Sequence, residues 1–208
     1  MPKQISPTSF TMSLNETEKK FIYTDEQLMK RFQEGDKNAY SELVNRYKDK
    51  LINFIYNYVG DIDSAEDIVQ DTMIKLYQKK HYYKEIAKFS TWLYTIAKNL
   101  ANTELRKRKQ RKTTLLSQLS KEGTNFDLPS NENNVGDDIH VDIATRLIQK
   151  AINVLQDKFK EVIILRDIQE LSYDDISLIV NVPIGTVKSR INRARIQLQL
   201  ELKHLNLK

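Results

Sequence analysis

The residues best placed to do chemistry lie between Ile184 and Leu200. At about 100° per residue, Val187, Ile191, Ala194 and Leu198 fall on one apolar stripe of a helix. Ser189, Asn192 and Arg193 then face the opposite way, and Lys188, Arg190 and Arg195 flank them. Such a set suits the reading of duplex DNA in the major groove. Asn and Arg can make paired hydrogen bonds to purine edges, Lys188 and Ser189 can reach neighbouring bases, and the flanking arginines can hold phosphates. The ordinary alternative is a solvated helix whose cations pair with acids one turn away. This stretch holds no Asp or Glu before Glu201, so that pairing is unavailable within it and nucleic acid is the favoured partner.

A second basic group closes the first half of the chain: six of the seven residues from Arg106 to Lys112 are Lys or Arg. Upstream stand Tyr77, His81, Tyr82, Tyr83, Phe89, Trp92 and Tyr94. Aromatic rings beside cations can stack unpaired bases while the cations hold the backbone. Most of these rings, Trp92 above all, sit on apolar stripes and belong to a core. The loop Lys79 to Lys88 is the part expected to be free for a strand. Enzymatic chemistry would have to come from Glu66, Asp67, Asp71 and His81. Carboxylates at that spacing are usually solvated, the three histidines are scattered, and no glycine-rich phosphate loop is present, so no catalytic residue, metal or cofactor is expected.

The elements that must carry these groups are helical throughout. Thr24 with Gln27 forms a capping box, and Leu28 and Phe32 follow on one face until Gly35. A long amphipathic helix runs from Asp36 to Gly60 through Tyr40, Leu43, Val44, Tyr47, Leu51, Phe54, Ile55 and Tyr58. Ser64 with Asp67 is expected to cap a third helix. A fourth, capped near Ser90, carries Trp92, Leu93, Ile96, Ala97 and Leu100 inward and runs out into the basic segment. In the second half, apolar spacing resumes at Leu147, Ala151, Val154 and Leu155, and again at Phe159, Val162 and Ile163. The segment from Ser172 to Arg190 then reads as a helix-turn-helix. Ser172 and Asp175 cap its first helix, Asn181 tolerates the left-handed turn, and Pro183 opens the second helix.

The expected fold is all-α, with two small helical domains, an N-terminal helical bundle and a C-terminal helix-turn-helix, joined by a flexible acidic linker. Residues 1–23 form a tail, 24–112 the first domain, 113–144 the linker and 145–208 the second domain. Charge follows this division. Residues 25–112 hold 18 basic against 13 acidic groups, 113–145 hold 1 against 6, and 146–208 hold 11 against 7. Two basic units around an acidic connector fit a polyanionic partner. The 208 residues contain no cysteine, which removes disulfides and thiolate metal sites. The longest apolar run is Val162 to Leu165, and the N-terminus lacks the apolar core of a signal peptide. A cytoplasmic location without membrane insertion is the expectation.

Taken jointly and in order, four segments resemble the sigma factors of bacterial RNA polymerase, specifically the extracytoplasmic-function (ECF) group. They are Gly35-Asp-Lys-Asn-Ala-Tyr40, Gly60-Asp61 with Ala65-Glu-Asp-Ile-Val-Gln-Asp71, Phe89 to Leu100, and Gly185-Thr-Val-Lys-Ser-Arg190. The resemblance covers about residues 25–112 and 145–202. It implies that the chain binds core RNA polymerase and directs promoter recognition, DNA melting and initiation, without a small-molecule substrate. Asp67, Gln70 and Asp71 would meet the clamp helices of the beta-prime subunit, and the second domain the beta flap. Lys79, Lys80, Tyr82, Tyr83, Lys98, Asn99, Arg106, Arg108 and Lys109 would engage the minus-ten element. Lys188, Ser189, Arg190, Asn192, Arg193 and Arg195 would engage the minus-thirty-five element. The resemblance also implies an anti-sigma factor as a candidate regulator. The sequence departs from the family pattern at Thr103, where Asp is usual, at Asn181, where Gly is usual, and at Ser177, where Ala is common. Two rivals remain: an ordinary helix-turn-helix regulator and a sigma-like decoy, and the cations of the last helix weigh against the decoy.

Overall fold

The computed structural model describes residues 23–121 and 143–206, and side chains within 23–114 and 146–204. Nearly all of the expected tail, and the connector from 122 to 142, lie outside the described residues. Eight α-helices are present among those described, and no strand.

The first unit is built from α1 (Asp25–Gln33), α2 (Lys37–Val59), α3 (Ile62–Gln78) and α4 (Phe89–Lys121). Thr24 and Gln27 make the full capping box at the start of α1. Asp36 caps α2 by accepting from the amides of Asn38 and Ala39. Gly60 ends α2 with φ +80°, a left-handed geometry that glycine adopts without cost. The cap of α3 is Asp61, whose carboxylate accepts from Ser64 N–H, so the helix starts earlier than the Ser64–Asp67 pairing predicts. Ser90 is likewise not seen capping α4. Glu26, reaching over from α1, accepts the Phe89 N–H at 3.1 Å. A carboxylate there satisfies an amide that the helix leaves open and complements the positive end of its dipole. Leu28, Phe32, Leu43, Leu51, Phe54, Ile55, Leu76, Phe89 and Leu93 fill the core of this unit.

The second unit comprises α5 (Ile143–Val154), α6 (Asp157–Ile163), α7 (Tyr173–Val180) and α8 (Ile184–Asn206). α8 packs on α5, α6 and α7. A π-helical turn, Ile164–Ile168, extends α6, and Glu170 follows it at φ +57°. Val162, Ile164, Leu165, Ile176, Val187, Ile191 and Ala194 form the core. Val154, expected inward from its spacing, is instead exposed, and Ile152 takes the buried position.

Two features depart from the expected organisation. α4 continues nine residues past Lys112 to Lys121, so the connector predicted from composition begins as helix. Thr113 to Lys121 holds three Leu and no Asp, Glu, Gly or Pro, so nothing in it breaks a helix. The two units also share one continuous core, with α7 lying along α4 and the π turn, α5 and α6 against α2.

Candidate nucleic-acid interface

On α8, the Pro183 carbonyl receives the amides of Thr186 and Val187 and so starts the helix. The turn before it is closed by Asn181 at φ +54° and by the Ser177 hydroxyl, which donates to Val182 O at 2.6 Å. Val187, Ile191 and Ala194 are buried, which aims Lys188, Ser189, Asn192 and Arg193 at solvent. Arg193 and Asn192 have no side-chain partner among the described residues. Lys188 lies 5.7 Å from the Tyr173 ring. The flanking arginines behave differently: Arg195 makes a two-pronged pair with Asp167 at 2.6 and 3.0 Å, and Arg190 approaches Glu161 at 3.6 Å. Burial raises the Glu161 carboxyl above its usual value, and the charges of Lys98 and Arg190 oppose that rise. These two arginines brace the helix on its own unit, a role their basic character on a helix wheel does not reveal.

The second basic region divides in the same way. Tyr82 and Ile86 project from the loop, 78% and 89% exposed, and Lys79, Asn99, Arg106 and Lys109 are also exposed. Gln33 holds the loop's shape by donating to the carbonyls of Lys80 and Tyr83. Lys80 is tied down, its ammonium donating to Phe32 O at 3.0 Å and lying over the Phe32 ring. Tyr83, expected to meet a strand, is buried instead. Its ring packs against Phe89 and Trp92, its hydroxyl donates to Ala87 O, and burial followed by the nearby charge of Glu26 pushes it up to about 12. Arg108 is committed to Asp61 at 3.1 Å, to Glu104 at 3.4 Å and to the Ser64 hydroxyl. The Ser64 hydrogen bond, and then Arg108, hold Asp61 below the usual carboxylate range against opposing burial. Lys98, expected to be available to DNA, is 8% exposed, and its ammonium donates to Ile179 O at 2.8 Å.

α3 presents the third group. With Ala65, Ile68, Val69, Thr72 and Met73 buried, Asp67, Gln70 and Asp71 stand on the outer face beside Asp63 and Ile74. The two aspartates make no ion pair among the described residues. No cluster of three or more His, Asp or Glu able to hold a metal occurs among the described residues, and none of their helices is long and apolar enough to cross a membrane. Residues that spacing alone did not single out include Glu26, Asp61, Lys160 and Glu161. Asp61 caps α3 through Ser64 and so had a local signal, whereas Glu26, Lys160 and Glu161 meet partners far along the chain that a local window does not carry.

The geometry is thus an exposed polar and basic helix face, an exposed aromatic loop beside a basic helix, and an acidic outer face on α3. The Sigma-70 region 2 family matches residues 43–111, and the Sigma-70 region 4 family matches residues 145–198. The ECF RNA polymerase sigma factor SigW of Bacillus subtilis is 36% identical over 189 residues, spanning 85% of this chain and 96% of that protein. The ECF RNA polymerase sigma-E factor of Haemophilus influenzae is 34% identical, spanning 88% and 97%. Among solved structures, the sigma factor RpoE of Bartonella quintana, in complex with the anti-sigma factor NepR, superposes with a TM-score of 0.60 at 29% identity. That match covers 78% of this chain and 96% of RpoE. With relatives above 30% identity matched over nearly their whole length, this chain belongs to the ECF sigma factors of bacterial RNA polymerase.

Proposed function

We propose that the chain binds core RNA polymerase through the outer face of α3 and reads promoter DNA with its two basic surfaces. Asp67, Gln70 and Asp71 meet the clamp helices of the beta-prime subunit, while the second unit docks on the beta flap. Tyr82, Lys79, Asn99, Arg106 and Lys109 take the minus-ten element as it opens. Lys188, Ser189, Asn192 and Arg193 read the minus-thirty-five element as duplex. Arg190 and Arg195 hold α8 in place through Glu161 and Asp167, and their remaining guanidinium N–H groups can reach phosphates. The chain performs no catalysis itself and works in the cytoplasm, where the polymerase is. An anti-sigma factor is the natural regulator, since the Bartonella quintana relative is held by one.

The observation that carries this reading is the outward face of α8. Four polar or basic side chains are aimed at solvent there, with no acid along the helix before Glu201. Run-off transcription with purified core enzyme and a genomic promoter library is the test. Arg193→Glu should blunt promoter selection while leaving polymerase association intact, each lost base contact costing about 1–3 kcal/mol. Asp67→Lys with Asp71→Lys should instead abolish polymerase association and leave the weak duplex binding of α8. If both changes impair both steps equally, the division of labour is wrong.

A further inference from the structure

The loop that carries Tyr82 is held at both ends by one helix. At its start, a single 3-10 turn, Lys80–Tyr82, lies on the last turn of α1, where Gln33 Nε2 donates to Lys80 O at 2.7 Å and to Tyr83 O at 3.0 Å. Lys80 returns the contact by donating to Phe32 O at 3.0 Å, so its ammonium sits at the negative end of the α1 dipole. At the other end of the loop, where α4 begins, Glu26 of α1 accepts the Phe89 N–H at 3.1 Å. Glu26 and Gln33 share one face of α1, two turns apart, which at 1.5 Å per residue is about 10 Å. α1 is itself fixed: Leu28, Met29 and Phe32 are buried in the core, and Arg46 of α2 donates to Asp25 at 2.9 Å.

The chain between these two anchors is longer than the gap it closes. Fully extended, the stretch from Lys80 to Phe89 would span about 30 Å. The excess forms the loop. Tyr83 folds inward, its ring against Phe89 and Trp92 and its hydroxyl donating to Ala87 O at 3.0 Å, and the Ile86 N–H closes a tight turn on Lys84 O at 2.7 Å. With Tyr83 buried, Tyr82 and Ile86 on either side of it stand in solvent. The backbone that carries them is fixed by hydrogen bonds from Gln33, Tyr83 and Glu26 rather than by burial of the two side chains themselves.

We propose that α1 is a splint for this loop, and that Gln33 and Glu26 are positioning residues for promoter opening, holding Tyr82 in place to receive an unpaired base before DNA arrives. The inference rests on the assignment of Tyr82 to the minus-ten element made above. Both residues act through the loop, since their polar atoms are turned to its backbone. A loop ordered in advance loses little further conformational entropy when it takes the base, whereas an unsplinted loop must be ordered in the same step. Loss of either anchor therefore slows opening without weakening the first encounter of polymerase with duplex promoter.

Core polymerase reconstituted with the full chain is mixed with a duplex promoter recovered from the library, carrying the fluorescent adenine analogue 2-aminopurine in its minus-ten element. The dependence of the opening rate on polymerase concentration separates the limiting rate from the half-saturating concentration. Gln33→Met keeps the side-chain length and removes the donor. It should lower the limiting rate about tenfold, the scale of one or two lost hydrogen bonds, and leave the half-saturating concentration within about twofold. Glu26→Gln, whose amide oxygen still accepts the Phe89 N–H, should open the promoter at nearly the parent rate, and Glu26→Met should be slow. A purely steric role would make the two substitutions alike. In a Tyr82→Ala background, Gln33→Met should cost less than about twofold further, because Tyr82 carries its effect. A parent limiting rate in Gln33→Met, or an equal loss with and without Tyr82, overturns the splint. Circular dichroism checks that each variant is folded; should Glu26→Met fail to fold, the Gln33 and Tyr82 variants decide. If Tyr82→Ala itself opens the promoter at the parent rate, the minus-ten assignment fails and the splint with it. A slow Tyr82→Ala beside a normal Gln33→Met removes the splint alone.

Discussion

Individual side chains in this protein are tuned by what lies over them. Burial raises the hydroxyls of Tyr47, Tyr58, Tyr83 and Tyr94 above their ordinary value, and each has a fixed hydrogen-bond acceptor: Asp25, Asn102, Ala87 O and Gln169 respectively. In the unfolded chain these groups ionise near pH 10, so the folded form retains protons that the unfolded form loses. Their contribution to stability is complete below about pH 10 and is lost as pH rises toward the folded values. Lys160 acts in the opposite sense, since burial lowers its ammonium below the ordinary lysine range and its penalty fades as pH rises, but it is one group against these four. The thermal midpoint should therefore fall steeply between about pH 10 and pH 11. Tyr83→Phe keeps the ring against Trp92 and removes one of the titrating protons, so its midpoint should fall less steeply over that range. A slope unchanged by the substitution would mean that the Tyr83 hydroxyl is not held protonated by the fold.

At the scale of elements, helix ends decide how the reading surfaces are aimed. The turn between α7 and α8 depends on Asn181 at φ +54°, a conformation in which a β-branched side chain clashes with its own backbone. Asn181→Gly should leave stability within about 0.5 kcal/mol of the parent, whereas Asn181→Val should cost about 1–2 kcal/mol. Urea unfolding measures both, and equal values would show that the turn is not what positions α8. This turn was legible in the sequence because Asn181 and Pro183 act on their own neighbours. The Thr24–Gln27 box and the Gly60 stop were legible for the same reason. Legibility ended where the partner is remote. Glu26 caps α4 from 63 residues away, and Lys98 reaches Ile179 across 81. No periodicity within one helix encodes such pairs, so Tyr83 and Lys98 read as available side chains. The end of α4 was missed for a different reason: Thr113 to Lys121 changes composition without containing a residue that stops a helix.

For the molecule as a whole, the question is whether the two units behave as one body when unbound. The second unit alone has about 60 residues, a size at which a single core is marginal, and it leans on α4 and α2 for part of its burial. The Asp175 carboxylate lies at the centre of that dependence. Burial works against its charge, but hydrogen bonds from Ser172, Lys88 and Thr91 outweigh this and hold it below the usual carboxylate range. Partners in one such network should not contribute independently. Thr91→Val and Asp175→Asn, introduced singly and together in the full chain, should therefore show a coupling of about 0.5–3 kcal/mol. Thr91→Val combined with Arg195→Ala shares no partner and should add to within about 0.5 kcal/mol. Denaturant unfolding followed by circular dichroism, and by fluorescence of the single Trp92 on α4, reads both cycles. Zero coupling in the first cycle would mean that the units part in solution. A clear coupling means that the unbound chain behaves as one body, with the α4–α7 contacts contributing to the stability of both units.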